Sequence, residues 1–183
     1  EFSAAPNVYE SLADFHRMNS GVFVAKPSNE TFSAMLARLD RPAAQVIRAL
    51  YEASRAGVEI DLVVRGACTL LPGIEGVSDR IRVRSVVGRF LEHHRVWWFG
   101  NDGAPELYCS SADWLERNLL RRVETAFPIL DPACAQRVHR EGLLNYLADN
   151  QNAWALDADG SYHKIVPEDG EAPFSAQLSL LDG

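Results

Sequence analysis

The apolar residues follow two different periods on either side of Gly57. Over residues 42–56 they recur every three to four positions, which is the spacing of a helix with one buried face. Pro42 suits the first turn of that helix, and Gly57 suits its end. Residues 58–64 alternate and then become continuously apolar, as a strand does when it enters a covered sheet. A helix followed directly by such a strand predicts an α/β fold.

Further strands are predicted where short β-branched and aromatic runs lie between turn residues. Asn101-Asp102-Gly103 predicts a hairpin turn between two of them. Together with the helices, these strands favour a mixed β-sheet with helices on both faces, in one domain. The strands are predicted over residues 21–25, 81–87, 95–99, 106–109 and 123–129, and the last of them is expected to be a core strand.

Four more helices are expected. Ser110 or Ser111 is expected to cap a short helix, and Asp131-Pro132 begins a helix that runs to about residue 149. After it, the pattern predicts one hairpin over residues 153–166, and the acidic, proline-containing segment that follows is expected to fray. The other two helices are predicted over residues 8–18 and 32–39.

The distribution of charge is more informative than its sum. The 183 residues carry a net charge of -7, which by itself argues against a polyanion partner. Residues 65–122 nevertheless contain nine arginines, no lysine and seven acidic residues, whereas residues 131–183 contain nine acidic residues and three basic ones. Guanidinium groups match phosphate oxygens in a planar fork, so the middle segment favours phosphate binding, with surface ion pairing as the alternative.

Composition also limits the class of protein. No apolar run is long enough to span a bilayer, so no transmembrane segment is expected. The three cysteines are widely spaced and form no C-x-x-C pair, which argues against a disulfide framework or a zinc site. Such thiols are typical of a reducing cytoplasm, and the expected location is therefore cytoplasmic, with peripheral membrane association left open.

The residues that suggest chemistry converge on one edge of the predicted sheet. Arg65 follows strand 58–64 at its carboxyl end, where open α/β sheets bind ligands. His93 and Arg95 are two residues apart and would face the same way if this stretch is a strand. One hairpin later the chain returns with Ser111 and Asp113. A histidine, a cation, a hydroxyl and a polar acceptor suit charge stabilisation during phosphoryl transfer, although an ordinary structural histidine is the alternative.

Several motifs, in order and in register, resemble those of the polyphosphate kinases over residues 46–138. That family transfers the terminal phosphate of ATP reversibly to polyphosphate, and its carboxy-terminal domains resemble phospholipase D halves. The resemblance implies a phospholipase D-like α/β half with a mixed sheet. The motifs are Val64-Arg65-Gly66, Ile81-Arg82-Val83-Arg84-Ser85, Gly88-Arg89-Phe90-Leu91-Glu92-His93 and Ser111-Ala112-Asp113-Trp114-Leu115-Glu116-Arg117-Asn118.

The resemblance implies a role for each matching residue. Arg65 would contact the nucleotide phosphates, and His93 would contact the nucleotide and act as an acid or base. With His93, the residues Arg95, Ser111 and Asp113 look like one phospholipase D half-site for ATP and phosphate. Weaker candidates, carried over only as motif members that orient phosphates or nearby loops, are Arg82, Arg84, Arg89, Arg117 and Asn118.

The resemblance also implies partners that this chain does not contain. The ligands are ATP or ADP and polyphosphate, with Mg²⁺ held by residues upstream. The histidine that makes the family a phosphoprotein also lies in a preceding domain, so this chain is expected to be incomplete alone and to work with upstream domains. Homo-oligomerisation is a further expectation, and no nucleic acid is expected to bind.

The expected organisation has three parts. Residues 1–45 form a divergent amino-terminal segment of the same domain, because residues 34–41 replace a Lys-Met-Asn-like family motif. Residues 46–150 are the catalytic core, and residues 151–183 are an acidic tail. Two alternatives stay open: a phospholipase D-like homodimeric phosphodiesterase with His93 as its nucleophile, and a degenerate, non-catalytic domain.

Overall fold

The computed structural model of the chain describes residues 20–25, 43–66 and 68–181. The helices predicted over residues 8–18 and 32–39 lie outside this part of the chain. The strand predicted over residues 21–25 is confirmed as the first strand of the sheet.

Within the described residues, eight strands form one mixed sheet in the order β6-β5-β4-β1-β2-β3-β7-β8. β2 is parallel to β3, and β1 is parallel to β4, whereas β1 is antiparallel to β2. The outer strands pair antiparallel, and the predicted hairpin after residue 151 is confirmed as β7 and β8. The strands are β1 Ser20–Ala25, β2 Ile60–Val64, β3 Ile81–Val86, β4 Val96–Phe99, β5 Glu106–Ser110, β6 Ala126–Pro128, β7 Ala153–Leu156 and β8 Tyr162–Lys164.

One of the helices changes its hydrogen-bonding pattern along its length. α1 spans Ala43–Arg55 and α2 spans Glu116–Arg121, with a 3-10 turn at Asn101–Gly103. α3 spans Pro132–His139, continues through a π-helical turn at Arg140–Leu144, and ends as α4 over Asn145–Ala148. α5 spans Ala176–Ser179. No helix in the described segments is both long and apolar enough to cross a membrane.

Apolar side chains cover the sheet on both faces. Ile60, Leu62 and Val64 of β2 pack in one cluster with the apolar face of α1. Val63, the neighbour between them, packs in a second cluster with Leu143 of the π-helical turn. Because successive strand residues point to opposite faces, the consecutive buried residues Leu62, Val63 and Val64 show that β2 is covered on both sides. The predicted α/β fold with helices on both faces is therefore confirmed.

Three local predictions differ from the structure. Leu115, not a serine, precedes α2 and gives it no side-chain cap, because the Ser110 and Ser111 hydroxyls bond to Ala112 N and Thr125 N instead. β6 was expected to be a core strand, but it lies at the sheet edge with all of its side chains exposed. The segment after the hairpin was expected to fray, yet it forms α5, in which Ala176 is fully buried.

The strand directions bring distant residues to one edge of the sheet. β1 is antiparallel to β2, and β4 is parallel to β1, so β4 begins at the edge where β2 ends. β5 is antiparallel to β4 and therefore ends at the same edge. Arg65 follows β2, Arg95 precedes β4, and Asp113 follows β5. This edge, with the loops that extend from it, is called the site edge below.

Candidate functional site

Asp113 links two arginines at the site edge. Arg95 approaches Asp113 Oδ1 with Nε at 3.0 Å and Nη2 at 2.9 Å, and both side chains are less than 10% exposed. Arg65 Nη2 lies 3.9 Å from Asp113 Oδ2 and Arg65 Nη1 donates to the Glu92 carbonyl at 2.5 Å. Two guanidinium groups thus face one carboxylate, so the cluster of Arg65, Arg95 and Asp113 has a positive charge balance.

Arg95 also determines which nitrogen of His93 carries the proton. Arg95 Nη1 lies 2.7 Å from His93 Nδ1 and 2.9 Å from the His93 carbonyl oxygen. A guanidinium group only donates hydrogen bonds, so His93 Nδ1 must be the acceptor. The neutral ring therefore carries its proton on Nε2. The His93 side chain is exposed, which makes that N–H available to an incoming acceptor such as a phosphoryl oxygen.

Glu92 anchors the loop that carries His93. Its carboxylate accepts hydrogen bonds from Tyr146 Oη at 2.8 Å and from Gln177 Nε2 at 2.6 Å, and His94 Nδ1 lies 3.2 Å from Glu92 Oε2. Burial raises the pKa of Glu92, but the hydrogen bonds from His94, Gln177 and Tyr146 outweigh it and hold that pKa below its usual value. Burial and the Glu92 carboxylate raise the pKa of Tyr146, which therefore stays a hydroxyl donor.

His94 connects this loop to the π-helical turn. Its Nε2 lies 3.1 Å from the carbonyl oxygen of Gly142, and its ring packs on Tyr146 with centroids 4.7 Å apart. A π-helical turn shifts the helical hydrogen bonds by one residue and recurs at functional sites. Carbonyl and carboxylate oxygens only accept hydrogen bonds, so each ring nitrogen of His94 faces an acceptor.

Gln177 reaches the same loop from α5. Its Oε1 accepts from the Phe90 N–H at 2.9 Å, and its Nε2 donates to the Phe90 carbonyl at 2.7 Å. A Cβ placed on Gly88 would lie 2.3 Å from Gln177 Oε1. Glycine at position 88 is thus what permits the close approach of this side chain.

The other principal candidate, Ser111, makes different contacts. Its Oγ donates to Glu124 Oε2 at 2.5 Å and accepts from Thr125 N at 3.0 Å, which ties the chain after β5 to the segment before β6. The structure therefore brings together Arg65, His93, Arg95 and Asp113, and it gives the Ser111 hydroxyl partners outside that group.

The weaker candidates are spread over the sheet. Arg82 forms a two-pronged pair with Asp61 on the exposed surface, at 2.7 and 2.9 Å. Arg84 donates to the carbonyl of Leu147 at 2.5 Å, near the end of α4, and burial lowers its pKa. Both guanidinium groups are thus engaged by neighbours that do not belong to the site edge.

Three weaker candidates lie in the loop and in α2. The Arg89 guanidinium stacks 5.5 Å from the centroid of the Phe90 ring. Asn118 is 4% exposed, and its Oδ1 has no hydrogen-bond partner within the described part of the chain. The Arg117 side chain lies outside the described residues.

The carboxylates at the site edge do not fit a magnesium site. Mg²⁺ requires carboxylate oxygens that are free to coordinate it. Asp113 is taken up by Arg95 and Arg65, and Glu92 by its three donors. Over residues 20–25, 43–66 and 68–181, no group of three or more His, Cys, Asp or Glu residues is placed to hold a metal ion.

Sequence reasoning missed the support for His93. Glu92 was recognised only as part of a motif, Tyr146 only lay within a predicted helix, and His94 was not assigned a role. Gln177 gave no signal at all, since it lies in a four-residue helix of a segment expected to fray. A hydrogen bond between residues 87 apart in sequence leaves no periodic pattern that could reveal it.

The fold and the site edge define an α/β domain whose mixed sheet presents two arginines and a histidine at one edge. Comparison with known proteins narrows this class. The family model described as polyphosphate kinase C-terminal domain 2 matches residues 31–177. The chain therefore belongs to this polyphosphate kinase family, and the resemblance drawn from its motifs is confirmed.

Individual relatives agree with the family model. The chain is 59% identical over 160 residues to a polyphosphate kinase of Xylella fastidiosa, covering 87% of this chain and 23% of the relative. It is 57% identical over 138 residues to one of Pseudomonas aeruginosa, covering 75% and 20%. The crystal structure of polyphosphate kinase from Porphyromonas gingivalis matches with a TM-score of 0.72 and 37% identity, covering 88% of this chain and 23% of that one. The chain thus spans about a quarter of the length of these relatives.

Proposed function

We propose that this chain supplies a nucleotide- and polyphosphate-binding half-site to a polyphosphate kinase, which transfers the terminal phosphate of ATP reversibly to polyphosphate. The curated relatives carry that name, and the chain covers only part of their length. The half-site consists of Arg65, His93, Arg95 and Asp113. Its completion depends on domains beyond this chain, which supply the magnesium ligands and the phosphate-accepting histidine.

The contacts suggest a distinct role for each of these residues. Arg65 lies at the end of β2 and contacts a phosphate of ATP or ADP with the donors that Glu92 and Asp113 leave free. His93 donates its Nε2 proton to a phosphoryl oxygen and acts as the acid or base there. Asp113, a carboxylate that would repel phosphate, holds the two arginines in place. Ser111 stabilises the adjacent loop.

The hydrogen bond from Arg95 to His93 Nδ1 carries this proposal. A histidine nucleophile must present an unprotonated nitrogen to the phosphorus atom. In His93 the lone pair of Nδ1 is occupied by Arg95, and Nε2 carries the proton. This arrangement suits donation to a phosphate, and it disfavours the alternative of a phosphodiesterase with His93 as its nucleophile.

Further parts of the proposal follow from the family. The domain is one phospholipase D-like half, it is cytoplasmic, and it forms a homo-oligomer within the complete enzyme. Residues 46–150 form its catalytic core, and residues 1–45 form a divergent first segment. Residues 151–183 are an acidic tail, of which β7 and β8 extend the sheet of the core. Arg82 and Arg84 are assigned to the stability of the sheet, because their donors are engaged by neighbours.

Steady-state kinetics of the intact enzyme tests the proposal. Arg65→Ala and His93→Ala should each lower kcat/KM for ATP by about a hundredfold or more, since each removes a group that contacts transferring phosphate. Arg137→Ala and His163→Ala, at exposed positions in α3 and β8, are the matched controls and should change kcat/KM by less than about twofold. Unchanged kcat/KM in Arg65→Ala and His93→Ala would contradict the proposal.

A further inference from the structure

We infer that Gln177 is a positioning residue for His93, so that the carboxy-terminal segment helps to build the phosphate half-site. The inference rests on the proposed function for the role of His93. Its structural part stands on contacts between α5 and the loop that runs from Gly88 to His93.

The amide of Gln177 is used at every donor position. Its two Nε2 hydrogens have two acceptors, the Phe90 carbonyl at 2.7 Å and Glu92 Oε1 at 2.6 Å, while its Oε1 accepts from Phe90 N at 2.9 Å. The residue is 5% exposed. Because buried hydrogen bonds of this kind fix the orientation of an amide, the backbone of Phe90 and the carboxylate of Glu92 are held in one geometry.

Two links connect Glu92, and through it Gln177, to the half-site. Glu92 directly precedes His93, so a shift of Glu92 moves the histidine. The carbonyl oxygen of Glu92 also accepts from Arg65 Nη1 at 2.5 Å. Gln177 therefore supports both phosphate-contacting side chains through a single residue, although it touches neither of them.

α5 is itself held by a network that does not involve the half-site. Asp149 Oδ2 accepts from the Ala176 N–H at 2.8 Å. Ser175 caps α5 by accepting from the Leu178 N–H, and its Oγ also accepts from Asn152 Nδ2 at 2.9 Å. Gln177 is thus presented to the loop by a preorganised turn, which is the arrangement expected of a residue that supports a site.

Gly88 provides an independent way to disturb the same contact. A Cβ at position 88 would lie 2.3 Å from Gln177 Oε1 and 2.7 Å from its Cδ, which is too close for either atom. Gly88→Ala should therefore displace the amide while leaving Gln177 itself in the sequence. Gly88→Ala combined with Gln177→Ala removes the clash, so the effects of the two substitutions should be less than additive.

The principal variant is Gln177→Met, which keeps the length of the side chain and removes its hydrogen bonds. Gln177→Glu is the second variant, because it keeps the shape and replaces the Nε2 donor by an acceptor. Gln136→Met, at an exposed position in α3, is the matched control. Thermal unfolding followed by circular dichroism establishes which variants fold.

Two measurements test the inference in the folded variants. In the isotope-labelled chain, nitrogen NMR of the imidazole reports whether His93 Nδ1 is the unprotonated acceptor, and hydrogen exchange reports the protection of the Phe90 amide. In the intact enzyme, kcat and KM for ATP report the consequence for catalysis. We expect Gln177→Met to mix the two tautomers of His93, to speed exchange at Phe90 at least about tenfold, and to lower kcat about tenfold or more.

The outcomes separate this inference from the proposed function. An unchanged His93 spectrum or an unchanged kcat in folded Gln177→Met and Gln177→Glu would overturn the role of Gln177, even if His93→Ala abolishes activity. If His93→Ala leaves activity intact, the proposed function fails, and with it the catalytic part of the inference. Additive effects of Gly88→Ala and Gln177→Ala would also count against a shared contact.

Discussion

At the scale of single residues, the half-site depends on the fork geometry of Arg95. One edge of its guanidinium group approaches Asp113, and Nη1 approaches His93. A planar group with several fixed donors can satisfy a carboxylate and an imidazole at the same time, which a single ammonium group does not do in the same geometry. The tautomer of His93 is therefore a consequence of the residue two positions away.

Arg95→Lys should preserve the charge at the site edge, but it should no longer fix the tautomer of His93. We expect the neutral His93 ring to populate both tautomers, because no fixed donor then occupies Nδ1. Nitrogen NMR of the histidine side chains measures this directly, with Arg137→Lys as the control at an exposed position. A His93 spectrum identical to that of the unsubstituted chain would show that Arg95 does not select the tautomer.

At the scale of elements, the periodic spacing of apolar residues predicted the helices and strands that pack into the core. The apolar spacing over residues 42–56 predicted α1, and residues 58–64, which alternate and then become continuously apolar, predicted β2. Both elements contribute to the same buried core. The end of α1 was also predicted, from Gly57. In the structure Gly57 has a φ of 92°, and Val58 N bonds to the Ala53 carbonyl in a Schellman arrangement. Single long-range hydrogen bonds, such as those of Gln177, have no such repeating signal.

The same reasoning explains which site residues could be found from the sequence. Arg65, His93, Arg95 and Asp113 follow or precede strands, and strand order brings such positions together. Arg84 was found as a motif member, but its contact with the Leu147 carbonyl depends on where α4 ends in space. The edge position of β6 was missed because an apolar run alone does not distinguish an edge strand from a central one.

Gly57→Ala tests the cap of α1. The added Cβ would meet no atom within 4 Å, so the cost arises from the positive φ alone and should be about 1 kcal/mol of the free energy of unfolding. Gly57→Asn should cost less, because asparagine tolerates this backbone region better. Urea-induced unfolding measures both variants, and a loss equal to or larger for asparagine than for alanine would contradict the assignment.

At the scale of the whole molecule, one edge of the sheet combines binding and stability. The sheet brings the ends of β2 and β5 and the start of β4 to the site edge. The carboxy-terminal segment contacts this edge through the hydrogen bond from Gln177 to Glu92. Glu92 belongs to both networks, because its carbonyl oxygen faces Arg65 and its carboxylate faces Tyr146 and Gln177. The stability of the domain should therefore depend on the ionisation of this one carboxylate.

The pH dependence of unfolding tests this link. Because the pKa of Glu92 is lowered in the folded chain, its stabilising contribution is present above the unfolded pKa, near 4.5, and is lost as the pH falls through the lower folded pKa. The difference in unfolding free energy between the unsubstituted chain and Glu92→Gln should therefore shrink as the pH falls below the unfolded pKa, near 4.5. Exposed Glu168→Gln is the control, and a difference for Glu92→Gln that does not change with pH would contradict the prediction.

The most direct test of the half-site is calorimetric titration of ATP and of polyphosphate into the folded chain, with Arg65→Ala and His93→Ala in parallel. The account predicts binding that weakens as salt is added, because it depends on charge, and that is lost in both variants. A folded chain that binds neither ligand, or that binds them equally well without Arg65 and His93, would contradict it.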